Sequence, residues 1–564
     1  MVDRVVKLLH KEFGSTNEAA LLLGSFSLLS QIFGLVRDKL LAYSIGPSDT
    51  LDIYYAAFRV PDFLFATIAS LTSVTILLPF LISLGNGDTK EKVKNARDFL
   101  GNIFTVFLLV MMGAIALAWI LMPKIAPVLV PGFGYEETKE FIYISRIMLL
   151  SPFFLGLSNL FGSITQLLKK FFSFAIAPVL YNMGIVIGIL FMPTFGVVSL
   201  AYGVVLGAIL HMLVQLPVVI RYSGVPHVKT KIDWPSVRSV FSISFPRTIA
   251  LSMNSIALIV IVSFASKIGE GAISVFNFAM HLQSVPLGII GVSYAVATFP
   301  VLAKEYSGDD ISAFVKTVLS SAKQIMFWSI PILVLFIVLR AQIVRVVLGS
   351  GAFDWNDTRL TAAVFAIFSL SIAAQSFLVF IVRGFYAAGN TRTPLIVNSF
   401  SSILIILLTP VLIHIFDTVS WFRSSAESLF RVYGLEGTTI LMLPLAYTIG
   451  TLVNAFVLWK IFKNKYIIGI PYTFRTTLLR GVGASMFGGV VAYGVLSLFS
   501  HILDTDTFIG IFLQGLIAGI LGVVATASIL KAWGSEEIDI VYKALKNKFW
   551  KKKTVHPGVE TPVI

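Results

Sequence analysis

Apolar runs of about 20 residues, separated by short polar connections, follow one another along almost the entire chain. A helix needs about 20 such residues to cross the hydrocarbon core of a bilayer. With 57% hydrophobic residues among 564 and a mean hydropathy of +0.89, the chain has more apolar surface than a water-soluble fold can bury. The sequence therefore predicts an all-α polytopic membrane protein.

Counting these runs predicts about fourteen transmembrane helices. Their approximate limits are 20–44, 53–84, 99–122, 141–167, 174–193, 197–220, 239–266, 273–303, 316–339, 360–387, 394–416, 438–461, 476–499 and 507–531. Alternate connections are richer in lysine and arginine, which is the bias of cytoplasmic loops. The bias predicts that both termini are cytoplasmic. Two connections are exceptions: 340–359 carries Arg340, Arg345 and Arg359, and 417–437 carries Arg423 and Arg431.

Three sequence landmarks occur twice, in the same order and about 220 residues apart. The pairs are Arg59-Val60-Pro61 with Ser284-Val285-Pro286, Gly132-Phe133-Gly134 with Gly351-Ala352-Phe353, and Pro178 to Asn182 with Pro394 to Asn398. They predict two six-helix lobes around a central cavity. Because six is an even number, the two copies should run in the same direction. Duplicated bundles of this kind are typical of secondary transporters.

These landmarks also predict a division of the chain. The segments are a basic amphipathic segment at 1–19, a first lobe at 20–220, a cytoplasmic linker at 221–238, a second lobe at 239–461, a helical hairpin at 462–531 and a basic cytoplasmic tail at 532–564. The basic and aromatic tail suits anionic membrane lipids as partners, and a plain solvated end is the equal alternative. Small residues at four-residue spacing predict close helix packing, at Gly184 and Gly188, Gly203 and Gly207, and Gly515 and Gly519.

Composition argues against several classes of function. The formal net charge of +14 is scattered over short loops and the two ends, which argues against a nucleic-acid partner. Cysteine is absent, and no metal-ligand, cofactor or paired-carboxylate motif is present. We therefore expect no cofactor, no metal and no catalytic residue. Asp354 and Asp357 are expected to cap the helix that starts near Leu360.

Charged residues within the spans are the candidate functional residues, because each costs about 2.5–3.5 kcal/mol at the bilayer centre and must face protein or water. Ser30 and Arg37 share one face of the first span, and Asp38 is expected to point elsewhere. Asp52 and Arg59 share one face of the second span. In the second repeat the candidates are Arg247, Asn254, His281, Gln283 and Arg383.

Arginines that line a wet cleft suit an anion, since guanidinium binds phosphate through two parallel hydrogen bonds. The structural alternative is that these arginines reach an interface or pair internally. His281 is explained equally well as a satisfied core histidine.

Several of these segments resemble a known family when taken together. The residues are Ser30-Gln31-Ile32-Phe33-Gly34-Leu35-Val36-Arg37-Asp38, Asp52, Phe58-Arg59-Val60-Pro61-Asp62, Ala279-Met280-His281-Leu282, Gly351-Ala352-Phe353-Asp354 and Thr391-Arg392-Thr393-Pro394. Their order is similar to that of the MurJ (MviN) lipid II flippase family of the MOP superfamily, over roughly residues 20 to 530.

The resemblance implies a V-shaped pair of lobes around a cationic cavity, with the last two helices extending a lipid-binding groove. It implies that the substrate is lipid II, the undecaprenyl-diphosphate-linked disaccharide-peptide, moved from the cytoplasmic to the outer leaflet of the bacterial inner membrane by alternating access. Cell-wall synthesis machinery is a further expected partner. By position, Arg37 matches a cavity arginine, Asp52 a functional acid and Ser30 a cavity-lining residue. The expected substrate-binding set is Arg37, Ser30, Gln31, Asp52, Arg59, Arg247 and His281.

The chain departs from the family at Gln31, Phe65 and His281, where arginine is common. A diphosphate would then be held less strongly, unless Arg59 or Arg247 compensates. No acidic residue lies in the 394–416 span, so ion coupling is not implied. The alternatives with the same architecture are an oligosaccharide-lipid flippase and a MATE-type cation-coupled exporter. A membrane glycosyltransferase or a non-transporting scaffold would be a different class.

Overall fold

The computed structural model describes residues 16–69, 77, 89–222, 225–467, 472–504 and 507–539. The described helices are α1 (Thr16–Ser44), α2 (Asp49–Ala57), α3 (Arg59–Thr67), α4 (Thr89–Leu129), α5 (Tyr135–Met148), α6 (Ser151–Leu167), α7 (Phe171–Leu190), α8 (Met192–Phe195), α9 (Val198–Leu213), α10 (Leu216–Tyr222), α11 (Trp234–Ala265), α12 (Ala272–Pro286), a π-helix (Leu287–Val292), α13 (Ser293–Ser307), α14 (Ile311–Val338), α15 (Arg340–Val347), α16 (Trp355–Ser369), α17 (Ile372–Ala387), α18 (Arg392–Thr418), α19 (Ser420–Phe430), a 3-10 helix (Thr438–Leu441), α20 (Met442–Tyr466), α21 (Tyr472–Phe499) and α22 (Phe508–Ala532). Most of the two predicted terminal segments, 1–19 and 532–564, lies outside the described residues.

The fold is all-helical, as predicted, but the count of fourteen spans is not confirmed. Within the described ranges, 11 helices are long and apolar enough to cross a membrane, or up to 12 spans if the bent pair α16 and α17 forms one. The first predicted span is helix α1, which is not among the 11. Much of the second, at 70–76 and 78–84, lies outside the described residues.

The repeated Val-Pro landmark marks a break in the helix in both copies. Helix α2 ends at Ala57 and α3 begins at Arg59, just before Pro61. In the second copy, α12 ends at Pro286 and the π-helix follows. Proline has no backbone N–H to donate to the preceding turn, so it interrupts the regular hydrogen-bond ladder.

The second repeated landmark begins a helix in each copy. The N–H of Gly134 donates to the Glu137 carboxylate at 2.7 Å, at the start of α5. At the start of α16, the N–H of Asp357 donates to the Asp354 carboxylate at 2.8 Å and the N–H of Asp354 donates to Asp357 at 2.9 Å. These reciprocal bonds form a capping box. The capping prediction is confirmed, although the helix begins at Trp355.

The same helix pairs pack in both halves of the chain. Helix α1 packs on α7 and α7 on α9, just as α11 packs on α18 and α18 on α20. Helices α5 and α6 contact α9 in the first half, and their counterparts α16 and α17 contact α20 in the second. The duplication seen in the sequence is therefore also a duplication of packing.

Both halves begin with a helix that ends at the same face of the bundle. Gly271, which follows α11, packs against Pro47, which follows α1. The N–H of Ala352 donates to the carbonyl of Tyr43 at 3.0 Å. The two copies therefore run in parallel. We call this end of the bundle the distal face; it includes residues 43–48, 266–271 and 349–355.

Outside the duplication, α21 and α22 pack on each other as a hairpin. Helix α21 lies along α14, and α22 contacts both α14 and α15. Gly515 and Gly519 of α22 face Gln342 and Leu339. The hairpin is thus attached to the second half.

Glycines bring α7 and α9 into backbone contact, as their spacing predicted. A Cβ atom on Gly184 would lie 2.3 Å from the Cα of Gly207, and one on Gly188 would lie 2.7 Å from the Cα of Gly203. No side chain larger than hydrogen fits at these positions unless the helices move apart.

We expect Gly207→Ala to destabilise the protein by about 1–3 kcal/mol, the usual cost of overpacking. Its Cβ would lie 2.4 Å from the carbonyl oxygen of Tyr181, a backbone atom that cannot turn away. Thermal unfolding in detergent measures the loss. Gly113→Ala is the control, because nothing lies within 4 Å of the Cβ position there. Equal melting temperatures for the two variants would contradict the close contact.

Candidate functional site between the two halves

The two halves meet through their first two spans. Helix α1 contacts α12, α2 contacts α12, and α3 contacts α11. The polar side chains at this interface come largely from one face of α12. Ser274, Asn277 and His281 are spaced i, i+3 and i+7, so they share that face.

The most accessible part of the interface is a cluster around Asp38. Arg37 donates to Oδ1 of Asp38 from Nε and Nη2, at 3.0 and 2.8 Å. On the other side, Nδ1 of His281 lies 2.9 Å from Oδ2 of Asp38. The Asp38 side chain is 3% exposed, whereas those of Arg37 and His281 are 16% and 28% exposed. Two partly accessible basic side chains from different halves therefore share one covered carboxylate.

The expectation that Asp38 points away from Arg37 is wrong. Adjacent helical residues leave the axis about 100° apart, but the long Arg37 side chain bends back far enough to reach its neighbour. The positive charge of Arg37 is therefore balanced by Asp38. The protonation of His281 decides whether the cluster is neutral or positive.

Asn182 connects this cluster to helix α7, and sequence reasoning missed it as a site residue. Its side chain accepts from Arg37 at 3.4 Å and donates to the hydroxyl of Ser30 at 3.2 Å. A signal was present, since Asn182 closes the third repeated landmark. Its counterpart Asn398 accepts from Asn454 at 3.0 Å.

Gln31 lies on α1, as Arg37 does, but it contacts a different helix of the second half. A Cβ on Gly288, in the π-helix, would lie 2.2 Å from the side-chain nitrogen of Gln31. The Oε1 atom of Gln31 is buried and has no hydrogen-bond partner among the described residues. Gln31 is therefore at the interface.

Asp52 is placed at the amino end of α12. Its carboxylate accepts from the N–H groups of Ile273 and Ser274, at 3.2 and 2.7 Å, and from the Ser274 hydroxyl at 2.5 Å. An acid at this position satisfies unpaired N–H groups and interacts favourably with the helix dipole. Both oxygens are used and the side chain is buried. In this arrangement Asp52 joins the halves instead of facing a cavity.

Arg59 contacts α12 one turn further along. Its Nη2 donates to Oδ1 of Asn277 at 2.6 Å, while its buried Nε has no partner in the described part of the chain. Asp52, Arg59 and Asp38 therefore meet three successive turns of α12. Arg247 lies on α11, but its side chain is outside the described residues.

A cavity of about 250 Å³ adjoins the cluster within the first half. Asp62, Phe65, Tyr181 and His211 are among its lining residues. The Asp62 carboxylate is exposed there and is close enough to His281 to interact electrostatically. Ligand pockets usually measure about 300–1,000 Å³, so this conformation leaves little room for a large head group.

Residues 41–513 match the family model described as lipid II flippase MurJ. The chain belongs to the MurJ family. A probable lipid II flippase MurJ of Bdellovibrio bacteriovorus is 27% identical over 538 residues, covering 93% of this chain and 96% of the relative. The lipid II flippase MurJ of Burkholderia cenocepacia is 25% identical over 385 residues, covering 67% and 74%.

Solved structures show the same fold. A lipid II flippase MurJ in an inward closed conformation superposes with a TM-score of 0.71 at 22% identity, covering 91% of this chain and 99% of that one. An inward-facing MATE multidrug transporter of the MOP superfamily gives 0.61 at 15% identity, covering 81% and 99%. The MurJ architecture therefore extends to this chain, which is a multi-pass membrane protein of a transporter family.

We expect Asp52→Asn to lower the stability of the protein by about 1–2 kcal/mol, because a neutral amide loses the charge-assisted bonds to the amino end of α12. Thermal unfolding in detergent measures this change. Asp49→Asn is the matched control, since Asp49 lies in the same first turn of α2 but the bonds to the N–H groups of Ile273 and Ser274 come from Asp52. A melting temperature unchanged by Asp52→Asn would show that the cap does not hold the halves.

Proposed function

We propose that this chain carries lipid II from the cytoplasmic to the outer leaflet of the bacterial inner membrane by alternating access between its two halves. Membership of the MurJ family carries the substrate assignment. The polar face of α12, enclosed between the halves, supports a pathway there. In this proposal both termini are cytoplasmic and the distal face is directed outward.

The Arg37 and Asp38 pair suggests how a diphosphate would be held. The oxygens of the diphosphate would replace Asp38 as acceptors for the Arg37 guanidinium, and Asp38 would keep His281 as its hydrogen-bond partner. Arg37 thus exchanges one charge-assisted interaction for another. Separating the two ions of a buried pair without such an exchange is costly, because it leaves an uncompensated charge in a low-dielectric environment. A protonated His281 would release Asp38 less readily but would add positive charge to the site.

Arg59 would contribute once the halves separate near its position. Among the described residues, Arg59 has an unused Nε donor and a single hydrogen-bond partner, the neutral side chain of Asn277. Parting of α3 from α12 would free more of its donors for a phosphate oxygen. This supports Arg59 as a compensation for the positions where Gln31, Phe65 and His281 replace arginine.

The distal contacts define what must open for release. Asp52 at the amino end of α12 and Gly271 against Pro47 close the halves at that face. Tyr55 of α2 also packs on Phe278 of α12, with ring centroids 5.8 Å apart, so opening separates an apolar contact as well. The isoprenoid tail would stay in lipid throughout, so only the head group needs the polar pathway.

The test is complementation of cells depleted of this protein, with outer-leaflet lipid II measured by its accessibility to an external probe. We expect Arg37→Ala to reduce exposure roughly tenfold or more, since a charge-assisted phosphate contact is lost. Arg146→Ala is the control, because Arg146 stacks on Trp119 away from the interface, with its Cζ 4.1 Å from the ring centroid.

Unchanged lipid II exposure after depletion of the protein would overturn the proposal. Full complementation by Arg37→Ala would remove Arg37 from the substrate site and would favour a scaffold. Expression of each variant in the membrane has to match that of the wild type for either conclusion.

A further inference from the structure

Three arginines from separate segments line one cavity at the distal face, between the second half and the C-terminal hairpin. The cavity measures about 690 Å³. Arg340 begins α15, Arg359 lies in the first turns of α16, and Arg431 directly follows α19. Arg340 and Arg359 lie on the 340–359 connection and Arg431 on the 417–437 connection, the two exceptions to the charge bias of the loops. These two basic loops therefore converge at one cavity.

The three guanidinium groups are incompletely partnered. Arg340 donates to the carbonyl of Ile337 at 3.0 Å, and Arg431 donates to the hydroxyl of Tyr493 at 3.0 Å. Arg359 donates twice to the carbonyl of Arg431, at 3.2 and 2.8 Å. Toward the described residues, each guanidinium group therefore uses only one or two of its five donors.

The described wall of the cavity carries positive but not negative charge. Within the described part of the chain, no acidic residue lines the cavity and none pairs with these three arginines. By contrast, Arg423 on the same loop as Arg431 is paired with Glu427 at 2.9 Å. The nearby Asp357 is held in the cap of α16 by the N–H of Asp354.

The positive charges of Arg340 and Arg431 lie close enough to repel each other. Burial, and then the neighbouring charge of Arg431, lowers the pKa of Arg340. An anion between the two side chains would relieve both effects, because it neutralises the repulsion and supplies acceptors. A lipid or solute phosphate has the oxygen geometry that guanidinium groups match.

The rim of the cavity indicates that the anion belongs to a lipid. Leu429 is 72% exposed and Tyr493 54% exposed, and Trp355 also lines the cavity. Aromatic and apolar side chains beside basic ones are typical of the level of the lipid head groups. The apolar hairpin α21 and α22 continues from this rim and offers a surface for acyl chains.

We propose that Arg340, Arg359 and Arg431 form a binding site for the phosphate group of a membrane lipid, separate from the pathway between the halves. Gln342 and Gln514 complete its floor, with the Gln342 amide donating to Gln514 at 3.3 Å. This site does not depend on the proposed function, because occupancy by any lipid whose phosphate group leaves it with a net negative charge would satisfy it.

Native mass spectrometry of the full chain in detergent tests the site. The probes are phosphatidylglycerol and undecaprenyl diphosphate, with phosphatidylcholine as the reference for weak binding, because its choline cancels the phosphate charge. We expect one adduct of an anionic probe to form about tenfold more tightly than with phosphatidylcholine. Arg340→Gln and Arg431→Gln should each lower this affinity roughly tenfold.

Arg345→Gln is the matched control. Arg345 lies on the same short helix as Arg340, but it is turned toward Trp355 and the carbonyl of Phe353 and does not line the cavity. We expect it to leave lipid binding unchanged. Melting temperatures without added lipid identify any variant that is simply unfolded, and either single variant suffices for the test.

Three outcomes would overturn the proposal. They are equal affinity for anionic lipid and phosphatidylcholine, anionic binding that survives both substitutions, and equal loss with Arg345→Gln. Inorganic phosphate and glycerol 3-phosphate are added as competitors. Displacement of the lipid by either at a similar concentration would show a site for free phosphate and would overturn the assignment to a lipid.

Discussion

The polar face of α12 is the constraint on which the arrangement of the two halves depends. Ser274 and Asn277 are buried in an apolar bundle, so their polar atoms need hydrogen-bond partners, and the partly exposed His281 continues the same face. Asp52, Arg59 and Asp38 supply those partners on three successive turns. Since a buried polar group without a partner costs about 1–3 kcal/mol, a small shift between the halves would be opposed along the whole face.

The halves also share apolar contacts, such as Tyr55 with Phe278, so their separation exposes apolar as well as polar surface. Asp38 already balances Arg37, so a diphosphate entering the site would exchange one anionic acceptor for another. Buried atoms that lack partners in the described residues, such as Nε of Arg59 and Oε1 of Gln31, leave donors and acceptors in reserve. An interface of this kind suits two alternative arrangements better than a single permanent one.

The convergence of the 340–359 and 417–437 loops explains why basic residues lie at the distal face. The two connections that violate the charge bias converge at Arg340, Arg359 and Arg431, in a cavity whose described wall has no acid. In the proposed orientation, with the distal face directed outward, these charges lie on the less favourable side of the membrane, and a lipid phosphate would compensate them. The hairpin then acts as one wall of a lipid site as well as an addition to the duplicated bundle.

The sequence alone determined the membrane environment, the duplication, the parallel direction of the halves, close helix packing at the regularly spaced glycines, and the cap at Asp354. These follow from local spacing or from comparison of the chain with itself. Periodicity shows which face of a segment is polar but not which segment it meets. Only the tertiary structure decided that Asp52 caps α12, where the N–H groups that it accepts from lie 221 and 222 positions further along the chain. The same holds for the contact of Arg37 with Asp38 and for the bond from Arg37 to Asn182. Those contacts depend on side-chain length and on packing between distant segments, which the local sequence pattern does not reveal.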